Sequence, residues 1–209
     1  MNVAVGLFGI HYINQLNHWM GWNIDMDYKN CYENNKNLLY NNLNCEFYSS
    51  TYFSEKINEL LNDYKFNSIK LQHIDNKVEI DVGNNWSKRN KRFKETIKLI
   101  LESNIKYEYV ILTRYDIFFN QNPFQLNVDY SKINVICKAK CGNNDGIIDD
   151  NFYFMPYNKL KEFYNQINLI DEKICAHEYN SYIDNIHYLI DGKYYSHEIP
   201  TYLLLRKSL

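Results

Sequence analysis

Four places along the chain carry side chains able to do chemistry. The first is Thr113-Arg114-Tyr115-Asp116, within the most apolar run, Tyr109 to Phe119. Arg114 and Asp116 are two apart, so on a strand they point to the same side. Charges placed after Val110-Ile111-Leu112 are costly unless they bind each other or something else. Two readings stay open. One is a plain ion pair. The other is a carboxylate that holds a divalent ion against a diphosphate, with Arg114 on phosphate or orienting Asp116. The second place is Asp145-Gly146-Ile147-Ile148-Asp149-Asp150-Asn151, with three carboxylates within six residues. It is either a solvated loop or the source of a general base for an acceptor hydroxyl.

The third place follows the first apolar run and holds Gly6, Phe8, Gly9 and His11. It matches neither the G-x-G-x-x-G fingerprint nor a G-x-x-x-x-G-K-[ST] phosphate loop. The glycines make either a tight turn or a close approach of backbone to a base or ribose. The fourth is His177-Glu178, with His187 and His197 beyond it. His177 and His187 are ten apart and do not share a helix face as an i, i+4 metal pair would, so His177 is either a packed or surface residue or a lone ligand. The five cysteines (Cys31, Cys45, Cys137, Cys141 and Cys175) include one C-x3-C pair and no second pair to complete a zinc site. They read as reduced thiols.

These residues need a scaffold, and the hydrophobic pattern supplies one. Val3 to Ile10, Cys45 to Tyr52, Ser68 to Ile74, Tyr109 to Phe119, Asn134 to Lys138 and Phe152 to Met155 read as strands, with a short one at Lys77 to Val82. Ile57, Leu60, Leu61 and Tyr64 recur at helical spacing after Ser54, which reads as a helix cap. Phe93, Ile97, Ile100 and Leu101 make the apolar stripe of a helix over Trp86 to Glu102, whose first half is crowded with Lys88, Arg89, Lys91, Arg92 and Lys94. Pro156 opens a helix through Ile167, and a last one spans His177 to Ile190, before a terminal Tyr194 to Leu205 segment. Residues 12–30 show no clean period and read as loop and irregular helix. Strands alternating with helices predict an α/β fold with a mostly parallel sheet, whose ligands bind beyond the C-terminal ends of the strands.

The 209 residues suit one domain and are enough to bury a core without a staple. A composition 45% hydrophobic and 23% charged, with 7 Gly and 3 Pro, excludes a disordered or collagen-like chain. A net charge of −2 argues against a dedicated nucleic-acid binder. No run approaches the ~20 apolar residues of a membrane span, and MNVAVGLFGIHY lacks the basic start and cleavage site of a signal peptide. The expectation is a soluble protein on the cytoplasmic side.

Taken in order, VAVGLFGIH, CEFYSSTYFS, WSKRNKRFKETIKLI, YEYVILTRYDIFF, GIIDDNFYFMP and CAHEY…PTYLLLRK span most of the chain. Together they resemble a small GT-A type glycosyltransferase, similar to the compact sugar transferases of polysaccharide and capsule synthesis, including those of large DNA viruses. The resemblance implies a single Rossmann-like domain over residues 1–209. Residues 1–119 would form its nucleotide-sugar half and residues 120–209 its acceptor half. It implies a nucleotide-sugar donor, by default a UDP-sugar, held by Phe8, Gly9, Thr51, Lys91, Arg92, Arg114 and Asp116. It implies Mn²⁺ or Mg²⁺ on Asp116 and His177, and a catalytic base at Asp150, with Asp149 second. The acceptor would be a glycan or glycoconjugate hydroxyl. The family's D-x-D motif reads Arg114-Tyr115-Asp116 here, so an arginine stands where the first carboxylate would. Lys88, Lys91 and Arg92 either meet donor phosphates or solvate their helix. Two other classes remain open: a carbohydrate-binding domain of the same fold without the chemistry, and a nucleotidyltransferase, whose Gly- and basic-rich N-terminal signature this chain lacks.

Overall fold

The computed structural model describes residues 1–19, 22–72, 85–141, 144–170, 183–195, 199–204 and 207–208. Strand β1 (Asn2–Phe8) leads into a hairpin of β2 (Tyr12–Trp19) and β3 (Trp22–Asp27), then α1 (Lys29–Asn35), which runs on as a π turn to Tyr40. Next come β4 (Asn44–Tyr52), α2 (Ile57–Tyr64), β5 (Ser68–Gln72), α3 (Asn85–Glu102), β6 (Tyr109–Arg114) and β7 (Ile117–Phe119). They are followed by β8 (Ile133–Val135), β9 (Lys138–Cys141), β10 (Asn144–Ile148), β11 (Phe152–Pro156) and α4 (Tyr157–Asn168). The last strands are β12 (Ile186–Tyr188), β13 (Lys193–Tyr195), β14 (Tyr202–Leu204) and β15 (Lys207–Ser208).

Seven strands form the central sheet in the order β12-β8-β11-β6-β1-β4-β5. Only β11 runs antiparallel to its neighbours there, so the fold is the α/β layered one that alternating strands and helices predict. Strands buried on both faces must be apolar on both, and β1 shows it. Val3, Val5 and Leu7 enter the core under α1 and α2, while Ala4 and Phe8 enter the opposite core under α3 and α4. Gly6 sits where α3 lies closest. A Cβ there would stand 2.6 Å from Leu112 Cδ2 and 2.8 Å from Thr96 Cγ2. Phe93, Ile97 and Ile100 of α3 are fully buried along the stripe that their spacing predicts.

Several elements differ from expectation. Residues 12–30 are mostly the β2–β3 hairpin rather than loop and irregular helix. The long run Tyr109 to Phe119 breaks at Tyr115-Asp116, and its two parts join different sheets, β7 pairing with β14. The break turns the chain so that Asp116 folds back onto Arg114. Asn134 to Lys138 likewise divides between β8 and β9, which lie in separate sheets. The end of the expected last helix is strand β12, paired with β8. The expected strand at 77–82 and residues 177–182 of that last helix lie outside the described residues. No described helix is long and apolar enough to cross a membrane.

Candidate functional site

The register of the sheet brings the chemistry-bearing residues to one edge. Phe8 pairs with Ser50 on one side and Arg114 on the other, and Phe152 pairs with Thr113. The C-terminal ends of β1, β4 and β6 therefore meet the N-terminal end of β11. Arg114, Asp116, Asp149, Asp150 and Asn151 converge there.

Arg114 grips Asp116 with a fork. Nε donates to Oδ1 at 2.9 Å and Nη2 to Oδ2 at 2.5 Å. Its third nitrogen, Nη1, donates to Asn151 Oδ1 at 3.0 Å. Burial alone would lower the Arg114 pKa, but the charge and hydrogen bonds of Asp116, with Asp150 behind, outweigh it and raise it. The arginine stays charged. Asn151 is the joint of the cluster: its Nδ2 donates to Asp149 Oδ1 and to the Tyr202 hydroxyl, each at 2.8 Å. Tyr202 in turn donates to Asp149 Oδ1 at 2.7 Å. Burial first, and the Asp149 charge second, push the Tyr202 phenol well above its ordinary range, which keeps it a donor. Arg89 of α3 pairs with Asp150 Oδ2 at 2.5 Å and donates to its carbonyl at 2.6 Å. The Arg89 guanidinium lies over the Phe8 ring at 5.2 Å and near Phe93 at 5.7 Å. All three aspartates are at most 2% exposed.

The loop after β1 is held by hydroxyls. Thr51 Oγ1 donates to the Gly9 carbonyl at 2.7 Å, so its single proton is spent. It must then accept from His11 Nδ1, 2.8 Å away, which makes Nε2 the acceptor for the Ser54 hydroxyl at 2.7 Å. The imidazole is neutral in that arrangement. Burial drops its pKa from 6.5 to about 4, with Asp27 partly opposing. Gly9 has φ +96°, the left-handed region that favours glycine, and a Cβ there would meet nothing within 4 Å. The loop is open above Gly9.

The expected donor residues divide by placement. Gly9, Arg114 and Asp116 stand at the edge. The Phe8 ring is wholly buried against Phe93, and Thr51 is wholly buried, its hydroxyl committed to Gly9 and His11. Both shape the loop from beneath rather than face a donor. Lys91 is exposed on α3. Arg92 turns inward, where Nη1 meets Glu95 at 3.0 Å and Ser50 Oγ at 3.3 Å, and its guanidinium lies 5.6 Å from the Tyr52 ring. The Arg92–Glu95 pair lies within α3, and the Ser50 hydroxyl, which meets both partners, ties it to β4. Burial lowers the Arg92 pKa, against Glu95.

A divalent ion on Asp116 would have to share with the Arg114 fork a carboxylate whose two oxygens each already accept a hydrogen bond. Among the described residues, no group of three His, Cys, Asp or Glu side chains is placed to hold a metal. Of the two expected ligands only Asp116 is described, and no step below runs through a metal. His177, the other expected ligand, lies outside the described residues, as does His197. His187 Nε2 donates to Asn127 O, 2.6 Å away, on the surface. Cys31, Cys45 and Cys137 are unbridged thiols. Burial, then Asp116, raises Cys31 to about 12, too high for a nucleophile at neutral pH.

Sequence reasoning assigns no site role to Arg89, Asn151 or Tyr202, and names His11 only as part of the loop after the first apolar run. Asn151 carried the one available signal, since it directly follows two aspartates and precedes a buried strand.

No family model and no curated protein matches this chain. Solved structures that share its fold include two enzymes. The inositol-1-phosphate CTP transferase from T. maritima has a TM-score of 0.50 at 12% identity, covering 92% of this chain and 86% of that one. The nucleoside-diphosphate-sugar pyrophosphorylase from Vibrio cholerae RC9 has a TM-score of 0.51 at 9% identity, covering 91% and 92%. The chain has a Rossmann-like fold of the kind these nucleotide-handling enzymes have.

Proposed function

We propose that the chain is a transferase that binds a nucleotide-activated sugar beyond the C-terminal ends of β1, β4 and β6 and passes the sugar to a glycan hydroxyl. One observation carries this. Two arginines and three carboxylates lie interlocked at the edge of the sheet where such folds take ligands. Apolar residues of similar volume are often as stable or more so at such positions, so stability alone does not account for the cluster.

In the reaction, an aspartate of the Asp149-Asp150 pair takes the proton of the acceptor hydroxyl, Asp150 being the first candidate. The acceptor oxygen attacks the anomeric carbon. The bond from that carbon to the phosphate oxygen breaks, and its electron pair leaves with the nucleoside diphosphate. The edge arginines stabilise the leaving charge. The open loop at Gly9 lets backbone approach the donor. The default donor is a UDP-sugar.

A second reading, nucleotidyl transfer, is favoured by the fold neighbours, both named for enzymes of nucleotide chemistry. Against it, β1 is followed by Gly9-Ile10-His11 and a hairpin rather than a Gly- and basic-rich loop. The two reactions release different products. Purified protein with UDP-, GDP- or dTDP-sugars and a glycan panel should release nucleoside diphosphate, and Asp150→Asn should abolish that while keeping its thermal transition. Pyrophosphate release from a nucleoside triphosphate and a sugar 1-phosphate would replace glycosyl transfer with nucleotidyl transfer. Sugar binding with neither product would leave a carbohydrate-binding domain.

A further inference from the structure

Tyr202 reaches the carboxylates from the far end of the chain. Strand β14 pairs with β7, placing Tyr202 opposite Phe119. The connection is reinforced where Asn120 N donates to Thr201 O at 2.8 Å and Asn120 Nδ2 to Pro200 O at 3.2 Å. The Tyr202 ring packs near Phe119, 6.2 Å between centroids, and the residue is 1% exposed. A buried phenol needs a partner. This one points away from its own two-stranded sheet and into the edge of the central one, where it meets Asp149 and Asn151.

The contacts form an unbroken chain: Tyr202 to Asp149, Tyr202 and Asp149 to Asn151, Asn151 to Arg114, and Arg114 to Asp116. Asn151 has one orientation that satisfies it. Its amide nitrogen must face the Asp149 carboxylate and the phenol, so its oxygen must face the guanidinium. Removing the phenol takes away one of the two acceptors of the amide nitrogen and a hydroxyl that Asp149 accepts from, which loosens the amide. The Asp149 carboxylate and the Arg114 fork, on opposite sides of that amide, then lose their common reference.

We propose that Tyr202 is a positioning residue of the transfer site, fixing Asp149 and, through Asn151, Arg114; this rests on the transferase reading above. Tyr202 itself touches no reacting atom. It sets the orientation of the groups that do, and its donated hydrogen bond favours the charged form of Asp149.

The test is Tyr202→Phe, which removes one oxygen and keeps the ring on Phe119, measured beside wild type for donor affinity by calorimetry, turnover, and the pH dependence of turnover. The expected result is a donor Kd within twofold of wild type and turnover at least tenfold lower. The acid limb of the pH profile should move to higher pH. Asn151→Ala, which cuts the chain at its other joint, should give the same pattern. Unchanged turnover and pH profile in Tyr202→Phe, with an active wild type, would overturn the role of Tyr202 and leave the transferase reading standing. A loss confined to donor affinity would overturn it too. A wild type that binds no nucleotide sugar would overturn the transferase reading itself, and this proposal with it.

Discussion

His11 lies between the hydroxyls of Thr51 and Ser54 as a neutral imidazole, and acid must protonate it in place. A protonated ring has no acceptor left for the Ser54 proton. Its folded-state pKa, about 4, lies below the ordinary 6.5. Its stabilisation is therefore fully present above pH 6.5 and is lost as pH falls toward 4, amounting to about 3 kcal/mol across that window. Urea unfolding at steps between pH 7.5 and 4 should show that loss. His11→Asn should start less stable and lose less over the same range. At this scale the sequence was informative wherever a charge followed an apolar run. Arg114 and Asp116 stand out for that reason, Asp149 and Asp150 because three carboxylates fall within six residues, and all four are in the cluster. Arg89, Asn151 and Tyr202 did not stand out, because each is defined by a partner 37 to 61 residues away, and local spacing carries no trace of it.

Among the elements, α3 does the most to shape the site. It lies on β1 at Gly6, delivers Arg89 to Asp150, and ties itself to β4 through Thr96, which accepts from Ser50 N at 3.0 Å. A methyl at Gly6 would push against Leu112 and Thr96 together, so Gly6→Ala should cost about 1–3 kcal/mol by overpacking, read as a lower urea midpoint with an unchanged slope. The helix was legible because its stripe is long and periodic. The β2–β3 hairpin was not. Trp22–Asp27 alternates apolar and polar residues, but Tyr12–Trp19 does not, so the stretch as a whole keeps no single period; the Gly of the two-residue interval Met20-Gly21 was a further cue. The break between β6 and β7 was hidden for the opposite reason. Ile117 and Phe119 are as apolar as Val110 and Ile111, because they too are buried, but in another sheet. Apolar continuity reports burial, not the identity of the sheet.

For the molecule as a whole, the distribution of charge predicts how a nucleotide will bind. Asp116 is neutralised by an arginine of the chain itself, so UDP binding should not require an added cation. Thermal shift with saturating UDP should be about the same in EDTA as in Mn²⁺, and a ligand at 100 times its Kd should raise the transition by roughly 5–10 °C. A shift that appears only with Mn²⁺ would return Asp116 to metal binding and make its pairing with Arg114 a resting state. The cluster also has a place in time. The hydroxyl that completes it belongs to a residue 53 positions beyond Asp149, and closing a loop of that size costs entropy that only later contacts return. Until β14 docks on β7, the carboxylates have neither their phenol nor a fixed amide between them, and water can reach them. The order of the carboxylates therefore waits on β14, a strand outside the central sheet.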